Sequence, residues 1–141
     1  MNAQTFYYTN QTPQRQNKFN GAIWMNLEHQ INSWSSASDT VYVVTGAMPP
    51  AEGDTNNPKT VKDNDGKPIT VPGYYFKAVA RKIGGKYHTI AFKLDHKDYK
   101  DSDSFMNYAI SVSKLEEITG FTFFPQLDAA TKQALDKNKW N

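Results

Sequence analysis

The feature that most limits what this chain can fold into is a stripe of apolar residues, Ile23, Trp24, Leu27, Ile31 and Trp34, recurring at spacings of three and four. That is the period of an amphipathic helix, so the pattern predicts a helix over residues 18–35, with an aromatic-rich face that must be buried against something. A partner follows at once. Thr40-Val41-Tyr42-Val43-Val44-Thr45, closed by Gly46, is a nearly continuous apolar and β-branched run and reads as a central strand buried on both faces.

The rest of the chain extends this pattern. Thr5-Phe6-Tyr7-Tyr8-Thr9 reads as a short strand ending at Asn10, with a turn at Gln11-Thr12-Pro13. Residues 49–69 are rich in Pro, Gly, Asn and Asp and read as a long surface loop with a hairpin at Asn64-Asp65-Gly66. Residues 74–80 and 87–94 form a second hairpin about Gly84-Gly85, and 95–104 a second polar loop. Beyond it, residues 106–112 alternate as a strand does. Ser113 and Glu116 have the spacing of a capping box, Gly120 stops that helix, and Asp128 opens a last one containing Ala129, Ala130, Ala134 and Leu135. The fold class is α+β, with a mixed, mainly antiparallel sheet beside one long helix.

Composition narrows the function. At 141 residues the chain has the length of a single domain, 1–141, and there is no run long and apolar enough to span a membrane. With no cysteine, thiolate metal sites and cysteine nucleophiles are excluded. The net charge of +2 is far from the basic field that marks nucleic-acid binding by composition alone, so such a function needs a specific site.

One pair of residues offers such a site. On a regular helix Asn20 lies at the edge of the apolar stripe, and Glu28 lies about 80° round from it and two turns further on. An amide oxygen and a carboxylate on one helix edge are hard donors suited to magnesium, which keeps most of its waters. An Asn near a helix start is also an ordinary cap, and a lone Glu an ordinary solvated side chain, so spacing leaves both readings open.

The run Thr9-Asn10-Gln11-Thr12-Pro13-Gln14, followed by Phe19-Asn20-Gly21, Trp24 and Leu27-Glu28, resembles the DNA/RNA non-specific endonucleases, a family of ββα-metal or His-Me finger nucleases. Further pieces resemble the same family in the same order: Val43-Val44-Thr45-Gly46, then Val71-Pro72 with Tyr74-Tyr75-Phe76-Lys77. Glu117-Ile118-Thr119-Gly120 with Phe123-Phe124-Pro125 and Leu127 completes the series. The resemblance implies a nuclease that hydrolyses DNA and RNA phosphodiesters with magnesium, or manganese in its place, contacting phosphates rather than bases. It implies Asn20 as the direct metal ligand, Glu28 as the residue that orients water on the metal, and Asn10 and Gln14 as support. The spacing from Gln14 to Asn20 is one residue longer than in the secreted members, so Asn17 is a rival for the metal position. Lys77, Arg81 and Lys82 are candidate phosphate contacts.

The family's general base is a histidine in an Asp-Arg-Gly-His motif upstream of this region, and these 141 residues contain no such motif. His29 reads as an exposed helix residue, His88 as an outward strand residue and His96 as part of a solvated loop. The implied mechanism needs that base, since general base catalysis contributes roughly 10² to 10⁴ in rate. The sequence therefore reads as the metal half of a nuclease domain, a fragment lacking the N-terminal strands. The alternative is a catalytically inactive module of the same fold that binds nucleic acid or protein. The resemblance suggests secretion or the periplasm, while the sequence itself assigns no compartment and no oligomeric state.

Overall fold

A computed structural model describes residues 12–37 and 40–140. The expected strand over residues 5–9, and Asn10 with it, lie outside the described residues. The amphipathic stripe does form one helical run, though not a regular α-helix. Gln16–Trp24 winds as a π-helical segment, the backbone breaks at Ala22 (φ −133°, ψ −108°), and α1 continues over Met25–Ala37. Gly21 lies at the tightest point, where a Cβ would stand 3.0 Å from the Gln16 carbonyl oxygen. Wide turns of this kind are rare and concentrate at functional sites. The periodicity located the apolar face correctly because the stripe survives one irregular turn: Phe19, Ile23, Trp24, Leu27, Ile31 and Trp34 are all buried.

Beneath this helix lies an antiparallel four-stranded sheet formed by β1 (Val41–Met48), β4 (Tyr74–Ile83), β5 (Lys86–Asp95) and β6 (Ala109–Ile110), side by side in that order. A separate two-stranded hairpin, β2 (Thr60–Lys62) with β3 (Pro68–Thr70), occupies the long loop where Asn64-Asp65-Gly66 predicted a turn. Side chains alternate across β4 and β5. Tyr75, Val79, Ile90, Phe92 and Leu94 pack on the kinked helix, while Phe76, Ala78 and Ala91 pack on the other face against Val112 and Leu115 of α2 (Val112–Thr119) and against Phe123. The C-terminal turn closes the helix side: Trp140 meets Trp34 edge-on at 4.8 Å and its carbonyl accepts from the Trp34 indole at 3.1 Å.

The structure corrects several sequence expectations. β1 is an edge strand among the described residues, with Tyr42 50% exposed and Val43 and Val44 close to 40%, because an apolar run specifies membership of a sheet and not a place inside it. Residues 105–108 form a 3₁₀ turn, leaving only Ala109–Ile110 as strand. Ser111, not Ser113, caps α2, its hydroxyl accepting from Lys114 N–H at 3.1 Å. Glu116 does not complete a capping box but joins two helices: its carboxylate accepts from Phe123 N–H and pairs with Lys132 at 3.1 Å, fastening α2 to the last helix. That helix, α3, covers only Ala129–Gln133, capped by Asp128. Gly120 does adopt the left-handed cap, at φ 76°.

Gly46 of β1 faces Phe76 across the strand pair, and a Cβ there would stand 2.3 Å from the ring. Phe76 is buried against Phe123, so admitting the methyl requires that ring to leave its packed position. Gly46→Ala should therefore cost about 1–3 kcal/mol, the usual range for overpacking, measured as a lower urea midpoint at unchanged slope. An unchanged midpoint would show that the strand pair can open there freely.

Candidate metal site on the kinked helix

The entry to the kinked helix is tied down before the helix begins. Tyr75 on β4 reaches across the sheet so that its hydroxyl donates to the Pro13 carbonyl at 2.9 Å and stands 2.7 Å from Thr12 Oγ1. Burial raises the Tyr75 pKa, with hydrogen bonds from Thr12 and Gln14 partly offsetting it, which brings the half-buried Gln14 to the same phenol. Arg15 then donates its backbone N–H to His96 Nε2 at 2.8 Å, its Nε to Asn57 Oδ1 at 2.6 Å and its Nη1 to Asp98 at 3.0 Å. The Arg15 carbonyl accepts from Asn20 N–H at 2.8 Å, and that five-residue span is the wide turn.

Asn20 emerges half-exposed from this turn. Its side-chain nitrogen donates to Gln16 Oε1 at 3.1 Å, which orients the amide and leaves Oδ1 without a hydrogen-bond donor among the described residues. Asn17, its rival in the sequence, is exposed, on the same π-helical segment. Glu28 is exposed on α1 and joins none of the ion pairs among the described residues. Asn20 and Glu28 thus lie on two contiguous helical segments joined by the break at Ala22, not on the single straight helix the spacing assumed.

Both donors are hard oxygens, a set that fits magnesium or manganese. Among the described residues no three His, Cys, Asp or Glu side chains stand together.

Lys77 and Arg81, expected as phosphate contacts, do not present exposed cations. Register places both on the helix face of β4, where they are 7% and 6% exposed. Lys77 Nζ donates to Thr45 Oγ1 at 2.8 Å and lies 4.7 Å from the centre of the Trp24 ring, one helical turn before Glu28. Burial pushes its ammonium below the ordinary lysine value, and the Glu28 carboxylate opposes that shift. The Arg81 guanidinium lies 4.5 Å from the Trp140 ring and 5.4 Å from Trp34, and donates to the Lys139 carbonyl at 2.7 Å. Lys82 is exposed.

The histidines divide differently from the sequence reading. His29 is exposed as expected and His88 half-buried on β5, but His96 is 1% exposed and is no part of a solvated loop. Its ring is enclosed by Phe19 at 5.2 Å and Tyr75 at 5.3 Å, its Nδ1–H donates to the Pro72 carbonyl at 3.0 Å, and its Nε2 accepts from Arg15. The polar residues on either side of it, Asp95 and Lys97, made the segment read as loop. The long-range partners that bury His96 leave no local pattern.

Comparison with known proteins agrees with this architecture. The family model for DNA/RNA non-specific endonucleases matches residues 1–130. Nuclease C1 of Cunninghamella echinulata var. echinulata is 30% identical over 131 residues, covering 91% of this chain and 52% of that protein. Mitochondrial endonuclease G of Caenorhabditis elegans is 26% identical over 131 residues, covering 89% of this chain and 42% of that protein. In fold, the chain superimposes on EndoG in the solved EndoG/EndoGI complex with a TM-score of 0.71 at 21% identity, over 91% of this chain and 54% of that one. The chain thus spans about half the length, or less, of these relatives. A family match across nearly the whole sequence and a shared ββα-metal fold place this chain in the DNA/RNA non-specific endonuclease family.

Proposed function

We propose that these residues form the metal-holding, C-terminal part of a magnesium-dependent nuclease domain that hydrolyses DNA and RNA without sequence preference, manganese serving in place of magnesium. The observation that carries this reading is the Asn20 amide. It is oriented by Gln16, held on a wide turn and left with a carbonyl oxygen that accepts no hydrogen bond from the described residues, in a chain whose family cuts nucleic acids. Asn20 Oδ1 would hold the cation directly, and Glu28 would act through water on it, with Gln14 and Asn10 as the supporting residues that the family resemblance implies. When bound, the cation supplies charge stabilisation for the phosphoryl oxygens and the departing oxygen. Asn20 would position that charge, and Glu28 would contribute a carboxylate one turn beyond Trp24.

A specific observation keeps a second reading, an inactive binding module of the same fold. None of the three histidines stands in the family's base motif. His29 is on α1 and exposed, His88 is on a strand, and His96 has both ring nitrogens engaged. The two readings separate when the chain is joined to an upstream Asp-Arg-Gly-His segment. The relatives include proteins mitochondrial by name, so the secreted setting suggested by resemblance is not carried over.

Two outcomes test the proposal. Manganese titration followed by electron paramagnetic resonance should show one weak site that Asn20→Ala abolishes. The fold should lose no more than about 1 kcal/mol, since the one side-chain bond removed, to Gln16, is solvent-exposed. Equal manganese affinity in both chains would refute Asn20 as the ligand. Plasmid DNA and RNA incubated with the 141-residue chain and magnesium should remain largely intact, and cleavage should appear when the upstream segment is fused. Vigorous Asn20-dependent cleavage by the chain alone would show that another group supplies the base, and its loss in His29→Ala would identify that group.

A further inference from the structure

We propose that His96 is the positioning residue of the Asn20 site, its neutral imidazole holding the helix entry in place and releasing it when protonated. This rests on the reading of Asn20 as the metal ligand, and the bonds behind it run in an unbroken series. The Pro72 carbonyl accepts from Nδ1–H at 3.0 Å, Nε2 accepts from Arg15 N–H at 2.8 Å, and the Arg15 carbonyl accepts from Asn20 N–H at 2.8 Å. Each ring nitrogen has one role, so only the neutral tautomer protonated at Nδ1 satisfies both.

Protonation would turn Nε2 into a donor facing the Arg15 N–H, two donors with no acceptor between them. His96 is enclosed by the Phe19 and Tyr75 rings, and its own backbone is pinned, N–H to the Gly73 carbonyl and C=O accepting from Asn57 Nδ2. The charged and titratable groups facing it are Arg15 from the helix entry, Asp54 from the loop after β1 and Tyr75 from β4. Asp98 is engaged with Arg15 and Asp95 with Lys93.

Burial, together with the Arg15 charge, lowers the His96 pKa below the ordinary 6.5, while the Pro72 bond and Asp54 oppose this. The sign follows: the unfolded imidazole takes its proton first as pH falls. The clamp is therefore at full strength above 6.5 and is lost as pH drops through the lower folded value. The same residues tie in both polar loops, since Arg15 holds Asn57 and Asp98 while the Lys18 carbonyl accepts from Tyr99 N–H at 3.0 Å. Acid would thus loosen the turn carrying Asn20 before it loosened the sheet.

The test reads the backbone directly and needs no metal. Amide exchange by NMR between about pH 7 and pH 5, corrected for intrinsic rates, is compared at Asn20 and at Ile90 in the core of β5, in the wild type and in His96→Gln. Gln can accept and donate but does not titrate in this range. In the wild type, Asn20 protection should fall about tenfold relative to Ile90, as expected for loss of one buried hydrogen bond, with a midpoint matching the His96 ring titration. In His96→Gln the ratio should be flat. A flat ratio in the wild type, the same slope in the variant, or a midpoint unrelated to His96 would overturn the proposal. If His96→Gln does not fold, the coincidence of the two wild-type midpoints decides it. Manganese affinity measured on the same samples should weaken along the same pH curve. Absence of manganese binding at every pH would refute the Asn20 reading and with it the role of His96 in a metal site, whereas binding that ignores pH while Asn20 protection changes would overturn the His96 role alone.

Discussion

The packing of one apolar helix stripe onto the alternating face of β4 and β5 sets the position of everything else in this molecule. Phe19 is fully buried among Trp24, Tyr75, His96 and Tyr99, and Trp34 lies between Phe92 and Trp140. Burying a large side chain completely contributes about 1.5–3 kcal/mol, and this stripe does so repeatedly along its length. The two buried cations of β4 belong to the same seam: Lys77 lies against Trp24, and Arg81 against the Trp34–Trp140 pair. Each cation lies against an aromatic ring, an attraction of about 0.5–2 kcal/mol that grows with desolvation. Lys77 also places a charge within the electrostatic reach of Glu28.

The helix is firmly placed, yet its first turns are not regular, and that irregularity carries the candidate chemistry. A straight α-helix would satisfy the Asn20 N–H four residues back. Here the bond runs five residues back to Arg15, and the break at Ala22 lets α1 resume its register over the sheet. The entry is consequently held by long-range bonds from Tyr75 and His96 rather than by its own turn. Arg15, the residue at the N-cap position, makes no side-chain capping bond and instead reaches outward to Asn57 and Asp98.

How much of this was legible from residues alone follows from the range of each interaction. The helix stripe, the Gly84-Gly85 hairpin, the Asn64-Asp65-Gly66 turn and the Gly120 cap are local patterns, and each forms where local chemistry puts it. The edge position of β1 was not legible, because Val41 to Thr45 carry the same side chains whether one neighbour is present or two. Nor was the burial of Lys77, Arg81 and His96, which arises from cross-sheet register and from partners such as Trp24, Trp140 and Arg15 far along the chain. The kink was hidden for a similar reason, since Gly21 is compatible with a helix and marks a close approach only once Gln16 is seen beneath it. Asn20 and Glu28 are candidates because motif and periodicity converge on them, and their relation across the break at Ala22 required the fold.

The most direct measurement of the central claim, that Asn20 on the wide turn holds a catalytic cation, is anomalous X-ray scattering from crystals soaked in manganese. The account predicts a single peak at direct-coordination distance, about 2.0–2.3 Å, from Asn20 Oδ1, with Glu28 nearby but not a ligand. A peak elsewhere, on Asn17 or on an unrelated carboxylate, with Asn20 still bonded only to Gln16, would contradict it.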